Sequence, residues 1–550
     1  SFPAGTTLQT VTVTVNGDTN VEPDEVFYVD LTAPVGATLL KRRGVGVILD
    51  DDATNPPVQA LTAVAGPTGG QLLLQWLNPA GAIGADEVVI RYFDGPGCAY
   101  PANATEGTGI APAITPVDIG NPQSTLHTGL VDDREYCYTV FLRYGAAYST
   151  GENLTARPYG AGTSKLRWKY FTGATVLAAP TVNVPSVMGL SNDLYVHAMQ
   201  RGSGGGPWPG LPWRPWSLGA AAQQRSPVVP LPSGPRAYIT TQDGRVHAIN
   251  SDTGAPLWSA QLLQIDDITP ATAEGAPAGM FIAYGGAWDY VLVGTNEADD
   301  NRLYALNPFT GVVEGRFDNG GGIGAILGMP AVDYVARRVY FASMRGTDAA
   351  TLWCLDLGPP GAGALTLRWK TGTPNEINGS PVLRRDRVYA ADTSSNVWSV
   401  SKAEHATIPN TPADLHQFSL GDPNPKGFLF PDRRNDDVYI ATENRVHGLT
   451  DAGGAAWSRK WERDLGSDTH PSMVLYWPGT NILYVGVDQY PALNDEARVL
   501  EIDTVNGNVV RDQILETSPQ AIGAPSLDGA NFTLHVGSEP GVIYAVDVPF

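Results

Sequence analysis

The sequence predicts an all-β chain, and three observations carry that reading. Short runs of alternating apolar and polar residues recur along it, from "TVTVTV" at 10–15 to "LLLQW" at 72–76, and a period of two is the mark of a half-buried strand. Glycine (62) and proline (44) are dense among the 550 residues while apolar residues still reach 43%, which describes a folded chain with many turns. From residue 164 onward, one strand-and-turn pattern keeps returning at a nearly constant interval.

Bulk numbers narrow the partners. The length calls for several domains. A net charge of −21 repels phosphate backbones, so no nucleic acid is expected. No apolar run reaches the length of a membrane-spanning helix, so no membrane span is expected. Three cysteines do not decide the redox compartment. There is no CxxCH, so covalently attached haem is not expected, and no HExxH, GxxxxGK[ST] or paired CxxC.

The opening 1–53 reads as strand, acidic loop, strand, turn and strand. Its "FPAG" at 2–5, the D-x-x-x-E-P-D-E-x-F loop at 18–27 and "ILDDD" at 48–52 resemble the last half of a Calx-β domain. The resemblance implies a Ca²⁺ site on Asp18, Glu22, Glu25, Asp50, Asp51 and Asp52, since a hard cation takes six to eight oxygens. The alternative is a solvated acidic loop and linker. The earlier strands of such a domain are missing, which leaves an apolar face and an open edge. Three explanations stay open: the chain is a piece of a longer protein, an upstream fragment completes the half, or a neighbouring molecule donates strands and builds a fibre.

Residues 58–158 form a second unit. Leu72, Leu74 and Trp76 alternate, "DEVVIRYFDG" supplies a third strand, and "LVDDREYCYTVFLRYG" a long strand with Tyr136, Tyr138 and Val140 on one face. This unit resembles a fibronectin type III domain. Trp76 matches its core tryptophan, and Leu130 and Tyr136 its tyrosine corner. In that family the third and sixth strands are neighbours, which implies a disulfide between Cys98 and Cys137; two separate thiols are the alternative.

Residues 164–550 repeat. A proline, usually behind a small residue, recurs at Pro180, Pro227, Pro277, Pro330, Pro381, Pro431, Pro471 and Pro525, 40 to 54 residues apart. Each unit holds a strand such as "RAYITTQ" or "RVYFAS", a hairpin, a strand such as "RVHAIN" or "RLYALN", a glycine turn and often a tryptophan strand. Four short strands per period make a propeller blade. The predicted architecture is therefore a partial Calx-β sandwich, a fibronectin III-like sandwich and an eight-bladed β-propeller, with seven blades as the alternative if the irregular first unit forms none. "AINSDTGAPLW" and "ALNPFTG" resemble the PQQ-type propeller repeat A-x-D-x-x-T-G-x-x-x-W, a family that includes quinoprotein dehydrogenases and outer-membrane assembly lipoproteins. The last unit lacks its tryptophan strand, and "SKLRWKYFTG" at 164–173 matches "LTLRWKTGT" at 365–373, so the first strand of the ring is expected to complete its last blade.

Chemistry on the ring is hard to place. Aligned by repeat, His247 and His447 share a position with Tyr304, Trp353, Trp398, Leu500 and Tyr544, which describes a packing slot. Cys354 reads as a small buried residue. Quinoprotein dehydrogenases hold PQQ with adjacent cysteines, a tryptophan floor and Ca²⁺ near a catalytic Asp. This chain has no adjacent cysteines, so PQQ is not expected. "QRGSGGGPWPGLPWRPWSLG" at 200–219 interrupts the first unit, and its Trp208, Trp213 and Trp216 are candidates for binding a protein partner or a glycan; folding back over the hub is the alternative. The acidic stretches 296–302 and 488–498 read as solvated loops.

The expectation is a non-enzymatic protein, extracellular or on a bacterial cell surface. It would act in adhesion or as a subunit of an extracellular filament, with the Calx-β half accepting strands from a partner or an upstream segment. The rival expectations are a quinoprotein-like oxidoreductase and a glycan-binding surface module.

Overall fold

The computed structural model describes residues 25–30, 43–48 and 55–550, apart from 66–68, 133, 159–164, 184–185, 205–215, 219–226, 233, 242–243, 263–275, 297–300, 362, 374, 378, 404–414, 423–425, 433, 453–456, 467–468, 470, 472–474, 477–479, 494 and 517. All long elements among them are strands, and one 3₁₀ turn, Pro491–Leu493, is the only helical element. Near the start, β1 (Glu25–Asp30) and β2 (Arg43–Ile48) pair antiparallel, with Glu25 opposite Ile48.

A two-sheet sandwich follows. One sheet takes the order β10 (Glu152–Ala156), β8 (Tyr136–Tyr144), β5 (Glu87–Asp94), β6 (Thr108–Gly109), with β9 (Ala147–Tyr148) on β8; facing it are β3 (Gln59–Ala65), β4 (Gln71–Leu77) and β7 (Pro122–Thr128). Alternation along β4, β5 and β8 turns Leu72, Leu74, Trp76, Val88, Ile90 and Tyr138 into one core. Each aliphatic side chain so buried contributes roughly 1.5–3 kcal/mol. The polar tips are satisfied: the Trp76 indole donates to Asn78 Oδ1 at 3.1 Å, and the Tyr136 hydroxyl accepts the Val131 N–H at 2.9 Å. A disulfide joins Cys98, in the loop after β5, to Cys137 in β8, with Cα atoms 5.9 Å apart.

Beyond the sandwich, four-stranded antiparallel sheets cover 181–217, 229–261, 276–317, 331–371, 382–419, 426–464 and 475–516. In the 181–217 unit the third strand, Tyr195–Gln200, is followed by a turn with Gly204 N–H to Gln200 O at 2.9 Å, and a short outer strand, Trp216–Ser217, pairs with it; residues 205–215 of the Gly/Pro stretch lie outside the described residues.

Adjacent sheets lock by one recurring contact. Tryptophan indoles on outer strands donate to a backbone carbonyl in the next sheet's turn: Trp258 to Pro308 O at 3.0 Å and Trp461 to Thr504 O at 2.8 Å. Those turns are built on an Asx pattern, in which Asn307 Oδ1 accepts the N–H groups of Phe309 and Thr310 at 2.8 and 3.1 Å. The glycine that ends each turn serves twice. Gly311 and Gly507 stand at φ +72° and +73°, and a Cβ on either would lie 2.6 or 2.5 Å from the docked indole. The T-G and W of the repeat are thus two halves of one contact between successive units.

The last sheet is different. Ser526–Asp528, Thr533–Gly537 and Val542–Asp547 supply three strands, and the fourth is β11 (Leu166–Phe171), paired antiparallel to the closing strand with Lys169 opposite Tyr544. The other edge of β11 is also taken. It pairs with β3 of the sandwich, Lys169 opposite Ala65 and Phe171 opposite Ala63. One seven-stranded sheet therefore runs from the ring through β11 into β3, β4 and β7.

Two changes test the unit-to-unit contact. Gly311→Ala destabilises by more than about 1 kcal/mol, because it meets both the positive φ and the Trp258 ring. Trp461→Ala destabilises by about 3–5 kcal/mol. Denaturant titration followed by tryptophan fluorescence reads both, and an unshifted midpoint for Gly311→Ala refutes the contact.

Candidate functional site

Three places gather polar side chains: the aligned third-strand slot, the tyrosine slot beside it, and the seam between sandwich and ring. In the first, register places His197, His247, Tyr304, Trp353, Trp398, His447, Leu500 and Tyr544 at one equivalent position. His197 is the member that sequence alignment missed, because the first unit's flanks hid its frame. All eight are buried. Their polar atoms turn to small residues at the end of the second strand: His247 Nε2 to Thr241 at 3.1 Å, His447 Nε2 to Thr442 at 3.2 Å, Trp353 to Ser343 at 3.0 Å, Trp398 to Asp392 at 2.8 Å. His197 links Asp193 (2.7 Å) to Tyr170 of β11 (3.0 Å). These bonds brace hairpins from inside and present no ring nitrogen to a solute.

The second slot holds Tyr238, Tyr340, Tyr389 and Tyr439, each ring 5.7–5.9 Å from a tryptophan of its sheet or the next. In the last sheet His535 replaces the tyrosine and lies 5.5 Å from Trp168 of β11. Among the described residues neither nitrogen of His535 has a hydrogen-bond partner. Burial holds His535 neutral and pulls its pKa down to about 3, and likewise lowers His447 and His127 to about 4. Cys354 is buried and its thiol is pushed up to about 12, so it is not a nucleophile at neutral pH.

At the seam, sandwich and ring share one apolar core: Trp76, Tyr138 and Leu154 from the sandwich pack in the same cluster as Val499, Leu515, Val536 and Tyr544. Polar links cross it. Arg157, just after β10, binds Glu135 at 2.6 Å and Glu516 at 3.5 Å. Glu516 also accepts the hydroxyl of Tyr544, and the Lys165 N–H donates to Gln513 at 2.9 Å. Lys169 Nζ lies 5.8 Å from the centre of the Tyr544 ring, within cation–π range.

Of the residues singled out from sequence, Cys98 and Cys137 are brought together. Glu25 lies in β1, and Trp216 opens an outer strand opposite Val196. Asp18, Glu22, Asp50, Asp51, Asp52, Trp208 and Trp213 lie outside the described residues. Among the described residues, one His/Cys/Asp/Glu group is close enough to hold a metal ion, namely Cys98, Glu135 and Cys137. Its two sulfurs are spent in the disulfide, so it offers no thiolate ligand.

Residues 143–273 and 216–411 match the family model described as outer membrane protein assembly factor BamB. The ring is a PQQ-like, BamB-type β-propeller repeat domain. Among solved structures, BamB from Moraxella catarrhalis is 15% identical, with 68% of this chain and 94% of that chain covered and a TM-score of 0.46. Quinohemoprotein alcohol dehydrogenase from Comamonas testosteroni is 12% identical, with 68% and 74% covered and a TM-score of 0.48. The computationally designed Ika8 protein is 13% identical, with 69% and 98% covered and a TM-score of 0.45. No curated protein matches the chain.

Propeller closure carries a pH dependence through His535. A histidine whose folded pKa lies below its unfolded value binds more protons when unfolded, so stability falls as pH drops from about 6.5 towards the folded value. His535→Phe removes this term. The variant's thermal midpoint falls less steeply than the parent's between about pH 6.5 and 4. Equal slopes would mean that His535 is not held neutral in the closed ring.

Proposed function

We propose that this chain is a non-enzymatic structural or adhesive protein of the cell exterior, in which a propeller is held rigidly on a sandwich module and displayed by it. The observation that carries this reading is the seven-stranded sheet shared by the two. A module joined by a linker alone swings; one joined through strand pairing and a common core transmits orientation and load. The buried slot histidines and the disulfide-bonded cysteines also fit a structural role.

The finer architecture belongs to the same proposal. The sandwich is read as fibronectin type III-like, supported by its strand order β10-β8-β5-β6 against β3-β4-β7, by buried Trp76, and by the Tyr136 corner. The propeller is read as eight-bladed, supported by the eight equivalent slot positions. The hairpin of β1 and β2 is read as part of the Calx-β half, a point at which further modules or strands join, with Ca²⁺ as its candidate ion.

Two measurements test the proposal. Calorimetry on the whole chain gives one transition in which sandwich and propeller unfold together; two separated transitions would refute rigid display. An absorption titration with PQQ and Ca²⁺ gives no saturable binding. Saturable binding with turnover of an alcohol would replace this reading with the oxidoreductase.

A further inference from the structure

We propose that the Cys98–Cys137 disulfide controls how firmly the propeller is closed, through a hydrogen-bonded path that leads from the bridge to the closing strand. The path begins at Glu135, two residues before Cys137. Its backbone carbonyl accepts the Gly95 N–H at 2.9 Å, and its Oε1 accepts the Gly97 N–H at 3.0 Å. The loop that carries Cys98 is therefore tied to Glu135 by two hydrogen bonds beside the covalent bridge. The other carboxylate oxygen, Oε2, takes the Arg157 guanidinium at 2.6 Å.

From there the path leaves the sandwich. Arg157 reaches Glu516 at 3.5 Å, on the outer strand Val509–Glu516 of the neighbouring blade. Glu516 accepts the hydroxyl of fully buried Tyr544. Tyr544 sits in the closing strand opposite Lys169 of β11, which in turn stands opposite Ala65 of β3. Each step crosses a boundary: loop to sandwich, sandwich to blade, blade to closing strand.

The arrangement depends on the arginine. The Glu135 and Glu516 side chains are only 15% and 10% exposed, and Arg157 is the cation paired with both. Losing its placement leaves two half-desolvated carboxylates, one of them against a buried phenol, which is a costly arrangement. Glu135 is what places Arg157, and the disulfide is what holds the Gly95–Cys98 loop on Glu135.

Reduction by a dithiol breaks the S–S bond. Two electrons and two protons pass to the sulfurs, Cys98 and Cys137 become thiols, and the dithiol closes to its own disulfide. Cys98 is half-buried and so reachable. The constraint across 39 residues is then lost, the loop is free to leave Glu135, and Arg157 loses its tighter partner. The seam would thus reach full strength only where disulfides persist, outside the reducing cytoplasm. This holds whatever the propeller binds.

Hydrogen exchange with mass spectrometry tests the path on the full chain, with and without dithiothreitol, in the parent and in Arg157→Met. In the parent, reduction speeds exchange in peptides covering β3, β11 and 542–547 by about tenfold, the weight of one charge-assisted hydrogen bond, and leaves 331–371 unchanged. In Arg157→Met the same seam peptides already exchange faster, and reduction adds little. Glu135→Gln gives the same comparison if Arg157→Met does not fold. Seam peptides that stay protected on reduction of the parent overturn the proposal. So does an equal acceleration in parent and variant, since two groups on one path must not act additively.

Discussion

Everything in this molecule hangs on β11 having both edges occupied. A strand that begins a ring is normally its outer edge, with a free row of N–H and C=O groups. Here one edge pairs with Val542–Asp547 and the other with β3. The first pairing joins the two ends of the ring. The second uses up the edge that closure leaves open and converts the sandwich from a neighbour into a continuation of the last blade. The shared core around Tyr138, Leu515 and Tyr544 follows from that geometry, because two sheets in register must bury a common face.

Within the ring, stability is distributed rather than central. Where a unit carries an outer tryptophan placed like Trp258 or Trp461, the indole docks on the following unit's glycine turn. No blade can hide that indole alone, so the units are stable only as neighbours. The closing blade obeys the same rule with borrowed parts. Trp168 arrives on β11, donates to Arg201 O at 3.1 Å, and packs on Gly204 and His535. That one tryptophan ties the last blade to the first while the same strand ties the ring to the sandwich.

The polar interior reads as bracing. The slot histidines and Asp392 satisfy hairpin groups in the dry space between blades, and burial holds His447 below the usual histidine range. Asp392 is held below the usual carboxylate range, against burial, by hydrogen bonds from Asn396, Trp398 and Asn375. Protonation equilibria therefore couple to closure of the ring.

Much of this was legible in the residues. The all-β class, the period of the repeats, the T-G…W spacing and the match of 164–173 to 365–373 follow from local patterns, because a strand's alternation and a turn's glycine are local demands. The slot histidines were recognisable as packing residues from the range of side chains that share their position. Other features carry no local signal. That Leu166–Phe171 would also pair with Gln59–Ala65 depends on which edge of a finished ring is left open. That Arg157 would stand between Glu135 and Glu516, 359 positions apart from the second, depends on two domains meeting. The sequence by itself determined the repeating unit and its internal contacts, since those are set by neighbours in the chain. Only the tertiary structure decided how the ring ends and what it is fused to, because edges, seams and ion pairs between modules exist only after each module has folded.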